Sequence, residues 1–492
     1  MPKYDIIIAG SGLGGLICGY ILAKEGLHVC ILEKNKKPGG CLRTFTRKGV
    51  VFDTGVHYFG AMDSGQTLNR YWSYFGLTQS LKMERMNPDG FDIIGFKGKD
   101  YPLAIGFDHF VEELLSFFPN EKENLERYTR CLKEISRDFS LYNLETPKDH
   151  SEENYRDKSA FTFFSSISKN TTLPSVLAGN NLLYAGNRES TPLYIPALIN
   201  HSFISSAWRT VDGSDQIANI LVESIKHFGG DIFLEEEINR IEKENEYYRV
   251  NSKSGNSFSS GKFISGIHPS KTLKMMNPFL FRKAFINRIT NLKDTSSSFA
   301  IYIVFKNNSF PFLNYNYYHH ETETVWNDDN FEKWPQNYMI HTPAHSSESS
   351  FAKNMIILTS MPFGMVKKWE NTRQGNRGEE YLEFKDHCTK SLLNLVSQKF
   401  PELTSSISYI ESSTPLTWRD YNGVPEGSMY GIQHDYREPL ITMLLPATKI
   451  PEFYFTGQNI NIHGVLGVTI GAVLTCGEIL GLEYLLKKIR TV

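Results

Sequence analysis

Tyr4-Asp5-Ile6-Ile7-Ile8-Ala9-Gly10-Ser11-Gly12-Leu13-Gly14-Gly15 reads as a buried strand that runs straight into a glycine turn. Leu16 to Gly26 then reads as a helix, and His28-Val29-Cys30-Ile31-Leu32-Glu33 as a second strand ending on an acid. The spacing Gly10-x-Gly12-x-x-Gly15 between strand and helix is a dinucleotide fingerprint, and Glu33 follows at about the twenty-residue distance expected of a ribose-binding acid. Gly10 permits the tight turn, Gly12 lets the backbone approach a pyrophosphate, and Gly15 lets the helix pack close to the strand. The helix N-terminus offers free N–H groups and a partial positive charge to phosphates. Glu33 can accept hydrogen bonds from free ribose hydroxyls. The alternative is a glycine-rich turn that binds nothing. The stretch alone does not separate FAD from NAD.

The segments on either side of it make that separation. Lys34 to Thr44 places Gly39-Gly40 and then Arg43-Thr44 just beyond the second strand. Arg43 can bring a fixed cation to the pyrophosphate. Val50-Val51-Phe52-Asp53-Thr54-Gly55-Val56-His57-Tyr58-Phe59 follows as a short strand entering a glycine turn. A nicotinamide domain does not need this further phosphate-side element; a cofactor lying extended across the domain does, which means FAD. At the far end, Phe453-Tyr454-Phe455-Thr456-Gly457-Gln458 reads as a strand with a glycine stop. From Gly467 the chain reads as one long helix ending near Ile489. Its first N–H groups are expected to face the isoalloxazine ring and stabilise negative charge on the reduced flavin. The two ends of the chain are therefore expected to meet on one cofactor.

The bulk numbers set outer limits. The chain has 492 residues, enough for two or three domains. Its 40% apolar and 22% charged residues are those of an ordinary globular protein. Aromatics reach 13%, which would suit a large apolar ligand, although from composition alone a Phe/Tyr-rich core is the favoured account. Net charge is −2 and no basic tract is present, which argues against a nucleic-acid partner. The six cysteines form no CxxC pair, so they read as packing residues in a reducing compartment, and no metal is expected. With no signal peptide and no long uncharged apolar run, the expected location is the cytoplasm, with at most peripheral membrane contact. Asn277 to Leu292 is the candidate for that contact: Phe281, Phe285, Ile289 and Leu292 share one helical stripe, with Arg282, Lys283 and Arg288 off it. The alternative is a domain helix with a solvated basic face.

Periodicity divides the rest. Residues 1–67 read as the first part of the FAD domain, 68–205 as a mostly helical insertion, and 206–276 as its second part. Residues 277–424 read as an antiparallel substrate domain and 425–492 as the third part of the FAD domain. Helices are expected over Phe107–Phe118, Glu121–Ser136, Ser214–His227 and Gly378–Lys399, and a charged surface loop over Lys148–Lys158. Strands are expected at Asp231–Leu234, Glu237–Ile241 and Tyr247–Val250, with Lys262–Ile267 returning to the parallel sheet. In extended-FAD folds such a return brings a backbone group to the adenine, here at Ile238.

Together these segments resemble the phytoene desaturase, carotenoid isomerase and all-trans-retinol saturase group of flavoproteins. The resemblance rests on Gly10 to Gly15, Glu33, Gly39-Gly40-x-x-Arg43-Thr44, Asp53 to Tyr58, Thr456-Gly457-Gln458 and Gly467-Val468-Thr469. Thr414 to Tyr421 and Pro425 to Gly431 add to it. It covers the full length, is densest in the FAD domain, and departs at Val211-Asp212-Gly213-Ser214, where relatives often carry Pro-x-Gly-Gly. It implies an α/β architecture: a discontinuous Rossmann-like FAD domain and an α+β substrate domain of amine-oxidase type. It implies non-covalent FAD held by Gly10, Gly12, Leu13, Gly14, Gly15, Glu33, Lys34, Gly40, Arg43, Thr44, Gly55, Val56, His57, Ile238, Gly457, Gln458, Gly467, Val468 and Thr469. It also implies an apolar, polyene-like substrate whose C–C double bonds are saturated, desaturated or isomerised.

Hydride exchange with a flavin needs geometry more than an acid–base pair, but saturation also needs a proton. His57 and Tyr58, placed by the Gly55 turn, are the candidate donors, against a purely structural role beside the cofactor. His201 and Arg209 near a domain crossover are further candidates, and Arg419 and Tyr421 are candidate cavity residues. Two other readings share the motifs. One is a flavin amine oxidase. The other is a non-catalytic carrier of lipid cargo, which the retained phosphate glycines argue against.

Overall fold

The computed structural model describes residues 3–147, 153–321, 325–326, 333–346 and 349–492. Its centre is a parallel sheet. Asp231–Phe233, Val29–Leu32, Tyr4–Ala9, Ser257–Ser265 and Phe453–Phe455 lie side by side in that order, all parallel. Ile6, Ile7 and Ile8 are fully buried, as both faces of a parallel sheet must be when helices cover them. The helices Leu13–Lys24, Asp215–His227 and Gly464–Leu480 cover the face of Ile6 and Ile8, while the hairpin Ile238–Glu244/Tyr247–Ser252 with Leu273 and Ile289 covers the face of Ile7. Ser257–Ser265 is shared between two neighbours. Its first residues pair antiparallel with Tyr247–Ser252, and its last three pair with Phe453–Phe455. That fork brings the carboxyl-terminal strand beside the amino-terminal fingerprint.

A second sheet of seven strands stands across from the first, in the order Ile407–Ser413, Ser297–Phe305, Asn354–Met361, Asn337–His341, Asn316–His320, Asp92–Phe96, Lys99–Leu103. Every residue of Ser297–Phe305 is buried, because the strand packs on both sides. Phe299, Ile301 and Ile303 face the core that includes Leu392 and Val396 of the helix Glu379–Lys399. Ala300, Tyr302 and Val304, on the alternate face, meet Phe52 and Ile356.

Several expectations are met closely. Helices form over Phe107–Phe117, Lys122–Asp138, Asp215–His227 and Glu379–Lys399. Others need correction. The region 68–205 is not helical throughout: the hairpin Asp92–Phe96/Lys99–Leu103 leaves it to join the second sheet, parallel to Asn316–His320. The long helix expected from Gly467 to Ile489 starts earlier, at Gly464, and breaks at Gly481 into Gly464–Leu480 and Leu482–Arg490. Gly481 sits at φ +92°, which no helix can continue through. The stripe on Asn277–Leu292 is used internally: the helix spans only Lys283–Asn291, Ile289 is buried, and Phe281, Phe285 and Leu292 pack on the core beneath the first sheet. The loop expected over Lys148–Lys158 lies partly outside the described residues. Among the described residues, no helix is long and apolar enough to cross a membrane.

Candidate active site

The fingerprint glycines divide by what surrounds them. At Gly15 a Cβ would lie 2.1 Å from the Gly10 carbonyl oxygen, and at Gly14 it would lie 2.8 Å from Gly457 Cα. These two hold the helix against the turn and against the returning chain. At Gly12 a Cβ would meet nothing within 4 Å, and its φ of −63° is ordinary. Gly12 therefore leaves open a space at the helix N-terminus that a pyrophosphate can use. The meeting of the chain ends is sealed by Cys18 and Thr456, whose Sγ and Oγ1 are 3.4 Å apart across 438 positions.

One cavity of about 720 Å³ runs from this turn across the molecule. Gly10, Gly12, Leu13, Gly14, Gly15, Glu33, Lys34, Gly40, Arg43 and Ile238 line its first end. Buried Glu33 is fixed by Ser11, whose N and Oγ donate to Oε2 at 3.0 and 2.7 Å, and by Asn35 N donating to Oε1 at 2.9 Å. Arg43 links two walls: Nε donates to the Gly40 carbonyl at 2.9 Å and Nη2 to Asn422 Oδ1 at 2.9 Å. Further along, Gly55, Val56, His57, Gly457, Gln458, Gly467 and Val468 line the middle. The start of Gly464–Leu480 lies there, as the ring-facing role requires. Beyond it lies an apolar arm walled by Phe139, Leu141, Leu198, Phe203, Met339 and Leu358. The residues present thus fit an extended dinucleotide: an acid for the ribose, glycines for the phosphates and a helix start for the ring.

Two of the expected cofactor residues do not face this cavity. Thr44 donates from Oγ1 to Asp215 at 2.8 Å, because Thr44–Arg47 pairs outward as a hairpin with Val50–Asp53. Thr469 is fully buried within its helix, donating to the Val465 carbonyl at 2.8 Å and accepting from Trp72 Nε1. Three of the further candidates also fall away. His201 sits behind the arm against Tyr142, 3.1 Å from its hydroxyl. Arg209 is fully buried and acts as a tie, donating to the Thr342 carbonyl at 2.7 Å and to Asn314 Oδ1 at 2.9 Å. Arg419 donates to the Glu370 carbonyl and to Asp420, away from the cavity. Tyr421 does line the cavity, but beside Arg43 rather than on the apolar arm.

His57 and Tyr58 both line the cavity. Their surroundings differ. His57 Nδ1 is buried with no hydrogen-bond partner among the described residues. Its ring tilts against His341 at 5.3 Å, and burial pushes it down to about 4, so it is neutral at physiological pH. Asp53, His57 and His341 bring one oxygen and two ring nitrogens within 4.8 Å of one another. Burial raises Asp53 to about 6, against hydrogen bonds from Ser214 that favour the carboxylate. A neutral imidazole is a poor acid, so His57 is the weaker donor of the two.

Tyr58 belongs to a buried polar chain. Its hydroxyl is 2.9 Å from Asp92 Oδ2 and 2.7 Å from the Tyr318 hydroxyl. Asn316 Nδ2 donates to Asp92 Oδ1 at 3.0 Å, and Asn316 Oδ1 lies 2.9 Å from His341 Nδ1. Asp92 is fully buried, and burial raises its carboxyl to about 7 despite hydrogen bonds from Asn316 and Tyr58 and the positive charge of Arg209. Tyr318 borders the cavity from the second sheet and is fully buried in its wall. Neither Asp92 nor Tyr318 was singled out from sequence. The one available signal was an acid in an apolar strand, Phe91-Asp92-Ile93-Ile94, a position where an unpaired charge is costly.

Comparisons with known proteins agree with this geometry. Residues 8–75 match the model of an NAD(P)-binding Rossmann-like domain. An all-trans-retinol 13,14-reductase of Danio rerio is 23% identical over 97% of this chain and 86% of its own length. The chloroplastic prolycopene isomerase of Daucus carota is 25% identical over 98% of this chain and 81% of its own. Over nearly its whole length the chain is thus similar to members of the phytoene desaturase, carotenoid isomerase and retinol saturase group. Among solved structures, a putrescine oxidase superposes with a TM-score of 0.66 at 14% identity, covering 99% of both chains. At that identity the likeness shows the shared fold, a Rossmann-like domain joined to a second sheet.

Proposed function

We propose that the protein is a flavin oxidoreductase that binds FAD non-covalently and reduces or rearranges a C–C double bond of an apolar polyene. The observation that carries this reading is the single cavity. It joins a dinucleotide cradle at Gly12 and Glu33 to an apolar arm walled by aromatic and aliphatic side chains. Gly10 to Gly15, Glu33 and Arg43 would hold the cofactor's nucleotide half, and the start of Gly464–Leu480 its ring. When bound, such a cofactor supplies two-electron hydride chemistry, which no side chain can. The protein's own part is to exclude water from the arm and to fix the polyene alongside.

The relatives support the substrate class. Those covering nearly the whole chain include proteins named for reduction of all-trans-retinol and for isomerisation of prolycopene. The amine oxidase reading has the fold in its favour, at 14% identity. The cargo-carrier reading would leave the open phosphate cradle at Gly12 without use.

The test has two stages. The purified protein should absorb near ~450 nm, and acid precipitation should release the yellow cofactor into solution, as non-covalent binding requires. The reduced protein is then given all-trans-retinol or a poly-cis carotene anaerobically. Reduction adds two hydrogens to the product; isomerisation leaves the mass unchanged and shifts retention. A protein that neither holds nor takes up FAD, or that oxidises amines while leaving polyenes untouched, would overturn the proposal.

A further inference from the structure

We infer that Tyr318 is the proton donor to the substrate, and that Tyr58 and Asp92 form the relay that supplies it. This deepens the proposed reaction and rests on that reading. The hydroxyl of Tyr58 stands between the other two groups, 2.9 Å from Asp92 and 2.7 Å from Tyr318. The order is therefore fixed as Asp92, Tyr58, Tyr318. Asp92 does not line the cavity, whereas both tyrosines do.

The direction of these hydrogen bonds depends on one proton. With Asp92 ionised, Tyr58 donates to the carboxylate and Tyr318 donates to Tyr58, so every O–H points away from the cavity. With Asp92 protonated, its O–H donates to Tyr58, Tyr58 donates to Tyr318, and the Tyr318 O–H is left free to turn to the substrate. Burial favours the protonated form, as an apolar site does for any carboxyl. The groups acting on the chain come from several elements. Asn316 and the Arg209 cation act on Asp92; Tyr184 and Tyr430 lie near Tyr318; and His341 reaches Asn316 from the neighbouring strand, itself close to His57 and His345. Both phenols are held well above their ordinary range, so neither ionises on its own. They conduct a proton by losing one and gaining one together.

The step balances as follows. One carbon of the double bond accepts a hydride from the reduced flavin, the two-electron reductant, and the π electrons move to the neighbouring carbon. That carbon takes the proton of the Tyr318 O–H. Tyr318 takes the proton of Tyr58, Tyr58 takes the proton of Asp92, and once product has left, water entering the arm returns a proton through Tyr318 and Tyr58 to the Asp92 carboxylate. The substrate gains two electrons and two hydrogens, and the flavin loses two electrons.

The experiment uses the full-length reduced holoenzyme with all-trans-retinol in single turnover, in H₂O and D₂O, for the wild type and for Tyr318→Phe, Tyr58→Phe and Asp92→Asn. Tyr318→Phe should slow product formation about 10²–10⁴-fold, the range for loss of a general acid, with flavin content and retinol binding unchanged. Tyr58→Phe should slow it by a similar factor. The wild-type rate should fall as pH rises through about 7, and Asp92→Asn should remove that limb. In D₂O the product should gain two deuteriums, one with the hydride, because the reduced flavin's N–H exchanges with solvent, and one with the proton, with a solvent isotope effect on the rate. Infrared spectra of the oxidised enzyme recorded across pH should show a protonated carboxyl band that Asp92→Asn abolishes; this readout needs no turnover. Variants that turn over within twofold of wild type with an unchanged pH profile would overturn the relay while leaving the proposed function standing. If the wild type neither reduces nor isomerises a polyene, the proposed function fails, and absence of the Asp92 band would then overturn the relay separately.

Discussion

The two ends of the cavity are built in opposite ways. The nucleotide end is made of backbone and glycine from one short stretch, Gly10 to Gly15, with Glu33 a strand later. The apolar end is made of side chains from segments far apart: Tyr58 after the first hairpin and Tyr318 in the second sheet, with Asp92 behind them in a strand that leaves the helical region. A phosphate is recognised by a local backbone shape, which a few residues can encode. An acid whose carboxyl is raised to about 7 needs a dry enclosure, and only the assembled core provides one.

That contrast can be broken at several points. The largest effect is expected at Gly15. Gly15→Ala would place a methyl group 2.1 Å from the Gly10 carbonyl, so the turn must open, at a cost of about 3 kcal/mol or more. Flavin retained after gel filtration should fall at least tenfold and the melting temperature should drop by several degrees. Restored retention at an unchanged melting temperature would show that the close contact is not needed.

Acid should act next. Burial holds His57, His201, His320 and His434 near about 4 and His463 near about 3, all below the ordinary 6.5. Between those values and 6.5 the unfolded chain binds more protons than the folded one. Stability is thus fully present above about 6.5 and lost as pH falls toward about 4, at up to roughly 1.4 kcal/mol per pH unit for each histidine. Denaturant unfolding across that interval measures it, and a flat profile would mean that these rings are solvated.

Gly12→Ala isolates cofactor binding from folding. A methyl group there meets no protein atom within 4 Å at an ordinary φ, so stability should change by no more than about 0.5 kcal/mol. FAD affinity should nevertheless fall about tenfold or more, because the methyl occupies the phosphate space. Equal losses of stability in Gly12→Ala and Gly15→Ala would erase the distinction between the two glycines. Arg419→Ala should do least. Its guanidinium faces Asp420 and the Glu370 carbonyl outside the cavity, so about 1 kcal/mol of stability is expected, with turnover within twofold of wild type. A large loss of turnover would return Arg419 to the site.

The legible part of the site follows the same division. Gly10, Gly12, Gly15, Glu33, Arg43 and Gly457 were readable because each does its work through a local backbone shape or a fixed charge next to one, and all line the cavity. Thr44 and Thr469 shared those motifs but face away, since a motif marks a segment and not the direction of each side chain. The helix break at Gly481 was missed because the apolar pattern continues across it. Tyr58 was readable as a candidate, whereas its partners were not. Tyr318 lies 260 positions away, and nothing in the periodicity of either strand indicates that they meet.

The sequence by itself determined a strand–turn–helix with an open cradle that fits phosphates, because that shape is made within about thirty residues and depends on absent side chains and exposed N–H groups. Only the tertiary structure decided which acid stands behind the tyrosines of the apolar arm. That required the hairpin at Asp92 to leave its helical neighbours and pair with Asn316–His320, since sheet pairing, not proximity in sequence, sets which buried polar groups share one enclosure.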